Sequence, residues 1–301
     1  MLKPQCIFCA SENVKLATGN LWHPVAKDHG PFDLYKCNHC GSAFTFPLPS
    51  KEQLTALYNR FEDGLMPVTR DIREEYPLDA WYRQCLKHAL KESGKGYKPT
   101  SVFSWIDLGA GKGDLSKQIA QQFPGSKGCA VDFHSKPDQL NEIGNVDWQQ
   151  IDMNEDNFAG TLNGNADIVF VITVLEHVRR PDIFLNNALR LLKPGGCLYL
   201  TTPQYSSFAS NLLGKRWPYI IPGEHLNMPS LLGMEILAKR VAQETGQINN
   251  LNVRVRSTVI PYAAGYYAKH FGLNFLTAAL PKNLLLRIPT GILEASIVTA
   301  R

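Results

Sequence analysis

Four cysteines in two pairs, Cys6-x-x-Cys9 and Cys37-x-x-Cys40, are the residues whose type and spacing specify chemistry most directly. Paired knuckles of this kind bring four thiolates to the corners of a tetrahedron, which suits zinc, and Gly41 after the second pair fits the tight knuckle turn. Disulfides are the alternative, but nothing in the sequence directs the chain to an oxidising compartment, and a redox CxxC does not need a twin. Zinc held by Cys6, Cys9, Cys37 and Cys40 is therefore expected. Four sulfur ligands leave no open position for water, so the ion would hold structure rather than do chemistry. His39, inside the second knuckle, reads as a bystander, and Cys85, Cys129 and Cys197 sit in apolar contexts as core residues.

A second kind of chemistry lies between Ser101 and Ala120. An apolar run ends in Asp107, breaks into Gly109, Ala110, Gly111 and Gly113, and resumes as a helix through Leu115, Ile119 and Ala120. Glycines in such a turn let the backbone lie flush against a ligand, and the following helix offers free N–H groups to it. Many strand-to-helix turns carry glycine for geometry alone, so the neighbouring segments decide. The run Gly-Cys-Ala-Val ends in Asp132, an acidic residue at the tip of the second strand and placed to accept hydrogen bonds from ribose hydroxyls. A third strand, Val146 to Ile151, precedes Asp152, and a fourth, Ala166 to Ile172, leads into Thr-Val-Leu-Glu-His-Val at 173–178. A helix from Pro181, the turn Lys-Pro-Gly-Gly at 193–196 and a strand ending at Pro203 follow.

In this order and spacing the segments IDLGAGKGD, AVD, QQID, ADIVFVITVLEHV and LRLLKPGGCLYLTTP resemble the successive motifs of class I S-adenosylmethionine (SAM) methyltransferases. Dehydrogenases share the glycine turn but not the Leu-Glu-His and Lys-Pro-Gly-Gly pair. With the ribbon, Phe-Pro-Leu-Pro-Ser and a helix carrying Leu-Tyr, the chain resembles the bacterial subgroup with an amino-terminal zinc ribbon, often encoded with sugar and surface-polysaccharide enzymes. The resemblance implies that Gly109, Ala110, Gly111 and Gly113 approach the methionine and ribose, with Asp107 orienting the loop. It implies that Asp132 binds the ribose, that Phe133 and Met153 flank the adenine, that Asp152 faces its amino group and that Val174 lies near the sulfonium. In Lys215 to Ser230 it points to a loop facing the acceptor. There His225 is the expected general base, Glu224 orients it or binds substrate, and Trp217 and Tyr219 stack on a sugar or ring, while His177 belongs to the pocket wall.

The elements that must position these residues follow from the pattern. The expected fold is α/β: a doubly wound, seven-stranded Rossmann-like sheet with its last strand antiparallel, preceded by a small ribbon. Residues 1–48 form the ribbon, 49–100 a helical linker or cover, and 101–301 the methyltransferase domain, with an insertion at 259–293. Ser50-x-x-Gln53 is a capping box opening a helix, 62–77 a linker or mobile cover, and Asp79 to Glu92 a helix with Tyr82, Leu86 and Leu90 on one face. Tyr76, Trp81 and Tyr82 read as packing residues. Leu251 to Thr258 and Glu294 to Ala300 supply the sixth and seventh strands.

With 301 residues and 44% hydrophobic content the chain has ample material for one substantial core. The absence of a long uncharged apolar window or leader-like start gives the expectation of a cytoplasmic protein without a transmembrane segment. A net charge of +4, with Lys and Arg scattered, gives no nucleic-acid footprint. The expected partner is a small acceptor, a hydroxyl of a sugar, nucleotide-sugar or lipid-linked glycan. Two other readings stay open: an RNA-modifying methyltransferase whose ribbon grips RNA, and a non-catalytic module on the same fold. The aromatic-rich insertion would roof the acceptor pocket, form a dimer face, meet a membrane surface or simply pack as a helical pair; oligomeric state is not legible.

Overall fold

The computed structural model describes residues 3–24, 26, 28–62, 78–244, 251–265, 268, 279–281 and 284–300. Most of the expected linker, together with Tyr76 and the aromatic residues Tyr266, Tyr267, His270, Phe271 and Phe275, lies outside them.

The ribbon consists of β1 (Val14–Leu21), β2 (Phe32–Cys37) and β3 (Ala43–Thr45), paired antiparallel in that order. The capping box opens α1 (Lys51–Glu62): the Ser50 hydroxyl accepts from the Gln53 N–H at 3.2 Å, and the Gln53 side-chain oxygen accepts from the Ser50 N–H at 2.8 Å. Helix α2 (Leu78–Glu92) follows. Its buried stripe is Trp81, Cys85, Leu86 and Ala89, with Tyr82 and Leu90 only at the margin, so the packed face is rotated from the expected one. Trp81, at 1% exposure, sets that rotation, because its large apolar ring gains most from burial.

The central sheet contains β4 (Ser104–Leu108), β5 (Lys127–Asp132), β6 (Val146–Gln150), β7 (Ala166–Ile172), β8 (Leu192–Pro203), β10 (Leu251–Thr258) and β13 (Ile292–Thr299), in the order β10-β13-β8-β7-β4-β5-β6. Strand β13 runs antiparallel to both β8 and β10, as expected of the last strand. Strand β7 reads Ala-Asp-Ile-Val-Phe-Val-Ile because helices cover both of its faces. Strand β8 begins ahead of the expected turn, although its pairing with β7 breaks between Ala166↔Leu192 and Ile168↔Cys197.

Helices α2 and α3 (Asp114–Gln122) cover one face through Trp81, Leu115, Ile119 and Phe123. Helices α4 (Pro181–Arg190) and α6 (Leu231–Glu244) cover the other through Phe184, Leu185, Leu237 and Val241. A short α5 (Phe208–Leu213) lies after β8. Within the insertion, β11 (Pro261–Ala263) pairs with β12 (Leu285–Arg287).

The ribbon is not a separate appendage. Its sheet gains a fourth strand, β9 (Asn227–Met228), from the loop expected to face the acceptor, with Ala43↔Met228 and Phe44↔Asn227 in register. The N–H of Ser230, opening α6, donates to the Ser42 hydroxyl at 3.0 Å, and the Ser230 hydroxyl donates to the Cys40 carbonyl. Cys6, Phe8, Cys37, Cys40 and Phe44 share one core with Met234 and Leu237.

Candidate active site

Strand ends β4, β5, β6 and β7 open onto one cleft with about 270 Å³ of space for the centre of a water molecule. Gly109, Gly111, Asp132, Phe133, Asp152, Met153 and Val174 all line it. The glycine turn is required by geometry at two points. At φ +74° a Cβ on Gly109 would sit 2.3 Å from Val174 Cγ2, whereas Gly111, at φ +54°, faces open space that a ligand can occupy. The Asp132 carboxylate is fixed by protein donors, Gly111 N–H at 2.8 Å and His134 N–H at 3.0 Å. Burial pushes its pKa up, but hydrogen bonds from His134 and Gly111 outweigh that and hold it below the usual value. Asp152 accepts from Asn154 N–H at 2.9 Å and lies 3.4 Å from Lys51 Nζ.

Three of the expected residues sit elsewhere. Asp107 is 2% exposed beneath the loop, where it accepts from the Ser116 hydroxyl at 2.7 Å, and burial pushes its pKa up to about 7. It lies outside the cleft lining, beneath the loop. Gly113, at φ +78°, is the N-cap of α3, and a Cβ there would lie 2.6 Å from Leu140 Cδ1, so its smallness serves packing. Ala110 is buried and its N–H donates to the Val131 carbonyl at 3.0 Å.

The sequence reading placed a helical linker or cover over 49–100 but named none of its residues for the site. Lys51, Leu54, Thr55 and Tyr58 of α1 line the cleft, and their i, i+3, i+4, i+7 spacing was the available signal. The Tyr58 ring lies 6.4 Å from Phe133 and 6.5 Å from His177, and its buried hydroxyl has no hydrogen-bond partner among the described residues. Thr173, also lining the cleft, holds φ +57°, an uncommon conformation for a β-branched residue of the kind concentrated at functional sites.

Beyond Val174 the cleft wall is His177, whose buried Nδ1 has no partner among the described residues, and His225 packs edge-on behind it at 4.8 Å between ring centres. His225 is 8% exposed and does not line the cleft itself. The reason is tertiary: the Leu226 N–H donates to the Glu176 carbonyl at 2.6 Å and the Thr45 N–H donates to the Leu226 carbonyl at 2.9 Å, which draws this loop under the ribbon. His225 Nδ1 lies 2.8 Å from the Tyr219 carbonyl, which only accepts, so the proton is on Nδ1 and the lone pair on Nε2. Burial, then the neighbouring His177, pushes its pKa down to about 4, so it is neutral at pH 7. Glu224 is held down to about 2: burial opposes this, but the His23 hydrogen bond and the nearby His177 and His225 outweigh it. Trp217 differs from expectation. It is 1% exposed and donates through Nε1 to the Thr290 carbonyl at 2.8 Å, so it is a core residue and not a sugar platform.

A family profile for a methyltransferase domain matches residues 70–241, more than half of the chain. The chain belongs to the class I SAM-dependent methyltransferase family. Curated relatives include ubiquinone biosynthesis O-methyltransferases of Pseudomonas aeruginosa, 33% identical over 103 residues, and of Dechloromonas aromatica, 34% identical over 103 residues. In both cases the match covers 32% of this chain and 43% of the relative, so the chain spans about two fifths of the curated relatives it matches.

Solved structures with this methyltransferase's fold include the plantazolicin methyltransferase BamL bound to SAH, with TM-score 0.51, 14% identity, and coverage of 84% of this chain and 92% of that one. A 1,6-didemethyltoxoflavin-N1-methyltransferase of Burkholderia thailandensis has TM-score 0.51 and 14% identity, covering 86% and 96% of the two chains. The [4+2]-cyclase SpnF has TM-score 0.54 and 14% identity, covering 84% and 97%. These likenesses establish the fold. A cyclase among them shows that the acceptor chemistry must be argued from the site.

The knuckles of this methyltransferase fit zinc. Cys6 and Cys40 Sγ lie 3.6 Å apart and Cys9 and Cys37 Sγ 3.5 Å, and all four cysteines are free thiols. Zn–S bonds of about 2.3 Å in a tetrahedron would separate the sulfurs by ~3.8 Å, so little adjustment is needed. Cys85 and Cys197 are buried and Cys129 half-buried, as expected of packing residues. No helix of the described residues is long and apolar enough to cross a membrane.

Proposed function

We propose that this methyltransferase transfers the methyl group of SAM to a small-molecule acceptor, a hydroxyl of a sugar, nucleotide-sugar or lipid-linked glycan. The observation that supports the reading most strongly is the convergence on one cleft of the glycine turn, Asp132, Phe133, Asp152, Met153 and Val174 from four successive strand ends. The small-molecule and peptide acceptors named for similar proteins are consistent with it.

SAM supplies an electrophilic methyl on a sulfonium; the chain's work is to align, desolvate and handle one proton. Gly109 and Gly111 shape the wall for the methionine and ribose. Asp132 accepts from the ribose hydroxyls on lone pairs left over from Gly111 and His134. Phe133 and Met153 enclose the adenine, Asp152 receives its amino group, and Val174 packs near the sulfonium. His225 takes the acceptor proton on Nε2, handed on by the ring of His177 that stands between it and the cleft, while its Nδ1–H stays on the Tyr219 carbonyl. Zinc on Cys6, Cys9, Cys37 and Cys40 fixes the ribbon.

Calorimetric titration with SAM and SAH, followed by labelled-methyl transfer to sugar, nucleotide-sugar and lipid-linked glycan acceptors, tests the reading. Binding of both ligands with transfer to one of these classes is expected. No SAM binding at millimolar ligand would end the donor assignment, whereas binding with transfer only to another acceptor class would end the glycan assignment alone.

Zinc has its own expected result. Elemental analysis of the purified chain should find about one zinc, and Cys40→Ser should bring it well below one and lower the thermal midpoint by on the order of 5–10 °C. Full stability of Cys40→Ser without metal would remove the structural role.

A further inference from the structure

Methyl transfer as derived above makes no use of the ribbon beyond its stability, yet the ribbon is built against the one loop expected to handle the acceptor. His23 is the point of contact. It is 1% exposed, and its Nδ1 accepts the Ala26 N–H at 2.8 Å. That bond fixes the ring proton on Nε2, which lies 3.2 Å from the Glu224 carboxylate and therefore donates to it. The loop is pressed onto the ribbon at the adjacent residue: at φ +80° a Cβ on Gly223 would come within 2.5 Å of Phe32 and 2.6 Å of His29. Three residues after Gly223, the chain joins the ribbon sheet through Leu226 and β9.

We propose that His23 is a positioning residue of the acceptor site, holding the Glu224 carboxylate toward the His177–His225 pair, so that the ribbon completes the site instead of serving as a separate binding module. The proposal rests on the reading of His225 as the group that takes the acceptor proton. When that proton reaches Nε2, His225 becomes an imidazolium with both nitrogens protonated, Nδ1–H still on the Tyr219 carbonyl. A nearby carboxylate stabilises this cation, the service an aspartate gives histidine in a hydrolase triad. A neutral N–H donor suits Glu224 better than a lysine would: it fixes the carboxylate without cancelling the negative charge that the imidazolium needs. A buried carboxylate lacking such a donor would turn away or take up a proton.

The test compares His23→Ala with His23→Gln in the full-length, zinc-loaded chain, because the glutamine amide can place an N–H donor where Nε2 stands. Amide hydrogen exchange at Glu224, His225 and Leu226, zinc content and SAM affinity are read together. His23→Ala is expected to speed exchange at these amides by about tenfold or more while zinc content and SAM affinity stay within twofold, and His23→Gln to return exchange to within about threefold of the parent. If glutamine is no better than alanine, or if alanine changes nothing, His23 only fills space and the proposal falls. Should His23→Ala lose zinc, Glu224→Ala decides from the other end: faster exchange at His225 and Leu226 supports the proposal, and unchanged exchange overturns it. Failure of the parent chain to bind SAM would strike the donor reading, an outcome separate from these exchange results.

Discussion

Replacing His225 by alanine is expected to slow methyl transfer by about 10²- to 10⁴-fold while leaving SAM affinity within about twofold, because general-base catalysis contributes on that scale and the ring lies outside the donor cleft. The measurement is single-turnover transfer with the acceptor that the screen identifies, alongside calorimetry with SAM. His177→Ala serves as the control, since His177 lines the cleft wall while His225 sits behind it. A larger loss in His177→Ala than in His225→Ala would move the base to His177. The pH profile carries a second signature. His225 has its pKa lowered to about 4, chiefly by burial, so its Nε2 lone pair is present from about pH 5 upward and the rate should show no acid limb near 6.5. The same shift has a stability consequence whose sign is fixed. The unfolded chain protonates this residue near pH 6.5 and the folded chain only near 4, so stability falls as pH drops through that window. His225→Gln should flatten that part of the stability curve.

Asp132→Ala is expected to weaken SAM and SAH binding about 100-fold. The carboxylate accepts from Gly111 N–H at 2.8 Å and His134 N–H at 3.0 Å, so its removal frees the glycine turn as well as any ribose hydroxyl it receives. Charged hydrogen bonds of this kind contribute about 1.5–3 kcal/mol each, and roughly 2.7 kcal/mol corresponds to a hundredfold change in affinity. Asp132→Asn, retaining one acceptor oxygen, should lose about tenfold. Calorimetric titration of the three proteins provides the check. Equal affinity in Asp132→Ala and the parent would remove Asp132 from the cofactor site, and a thermal midpoint close to the parent's would exclude collapse of the turn as the cause of any loss.

The cleft residues were legible because they are local in sequence. Each strand-to-helix turn carries a polar or small residue at the strand tip, so Gly109, Gly111 and Asp132 followed from pattern and spacing, Asp152 and Val174 from the family resemblance, and parallel pairing of β4 with β5 and β7 sets those tips side by side. The seventh strand, expected over Glu294 to Ala300, lies at Ile292–Thr299 and pairs with β8. The boundary between lining and foundation was not legible. Asp107 and Gly113 belong to the same motif as Gly111, but only the packing of Ser116 and Leu140 around them shows that they face inward.

The roof and the acceptor side depended on long-range packing. Tyr58 comes from α1, which follows the ribbon in the chain, and its apolar-and-polar spacing fits core as well as cleft. Two cysteine knuckles specify a zinc ribbon by chemistry, yet nothing in residues 1–48 announces that their sheet will be completed by Asn227–Met228 or that His23 will meet Glu224, separated from it by 201 positions. Strand addition and buried hydrogen bonds between distant segments are selected by the free energy of the whole fold, because each pays its loop-closure cost only when the core is already assembled. The sequence by itself determined the fold, the glycine turn with its neighbouring strand tips and the thiolate cluster. Tertiary structure decided which histidine stands at the cleft, which stands behind it, and what the ribbon holds in place.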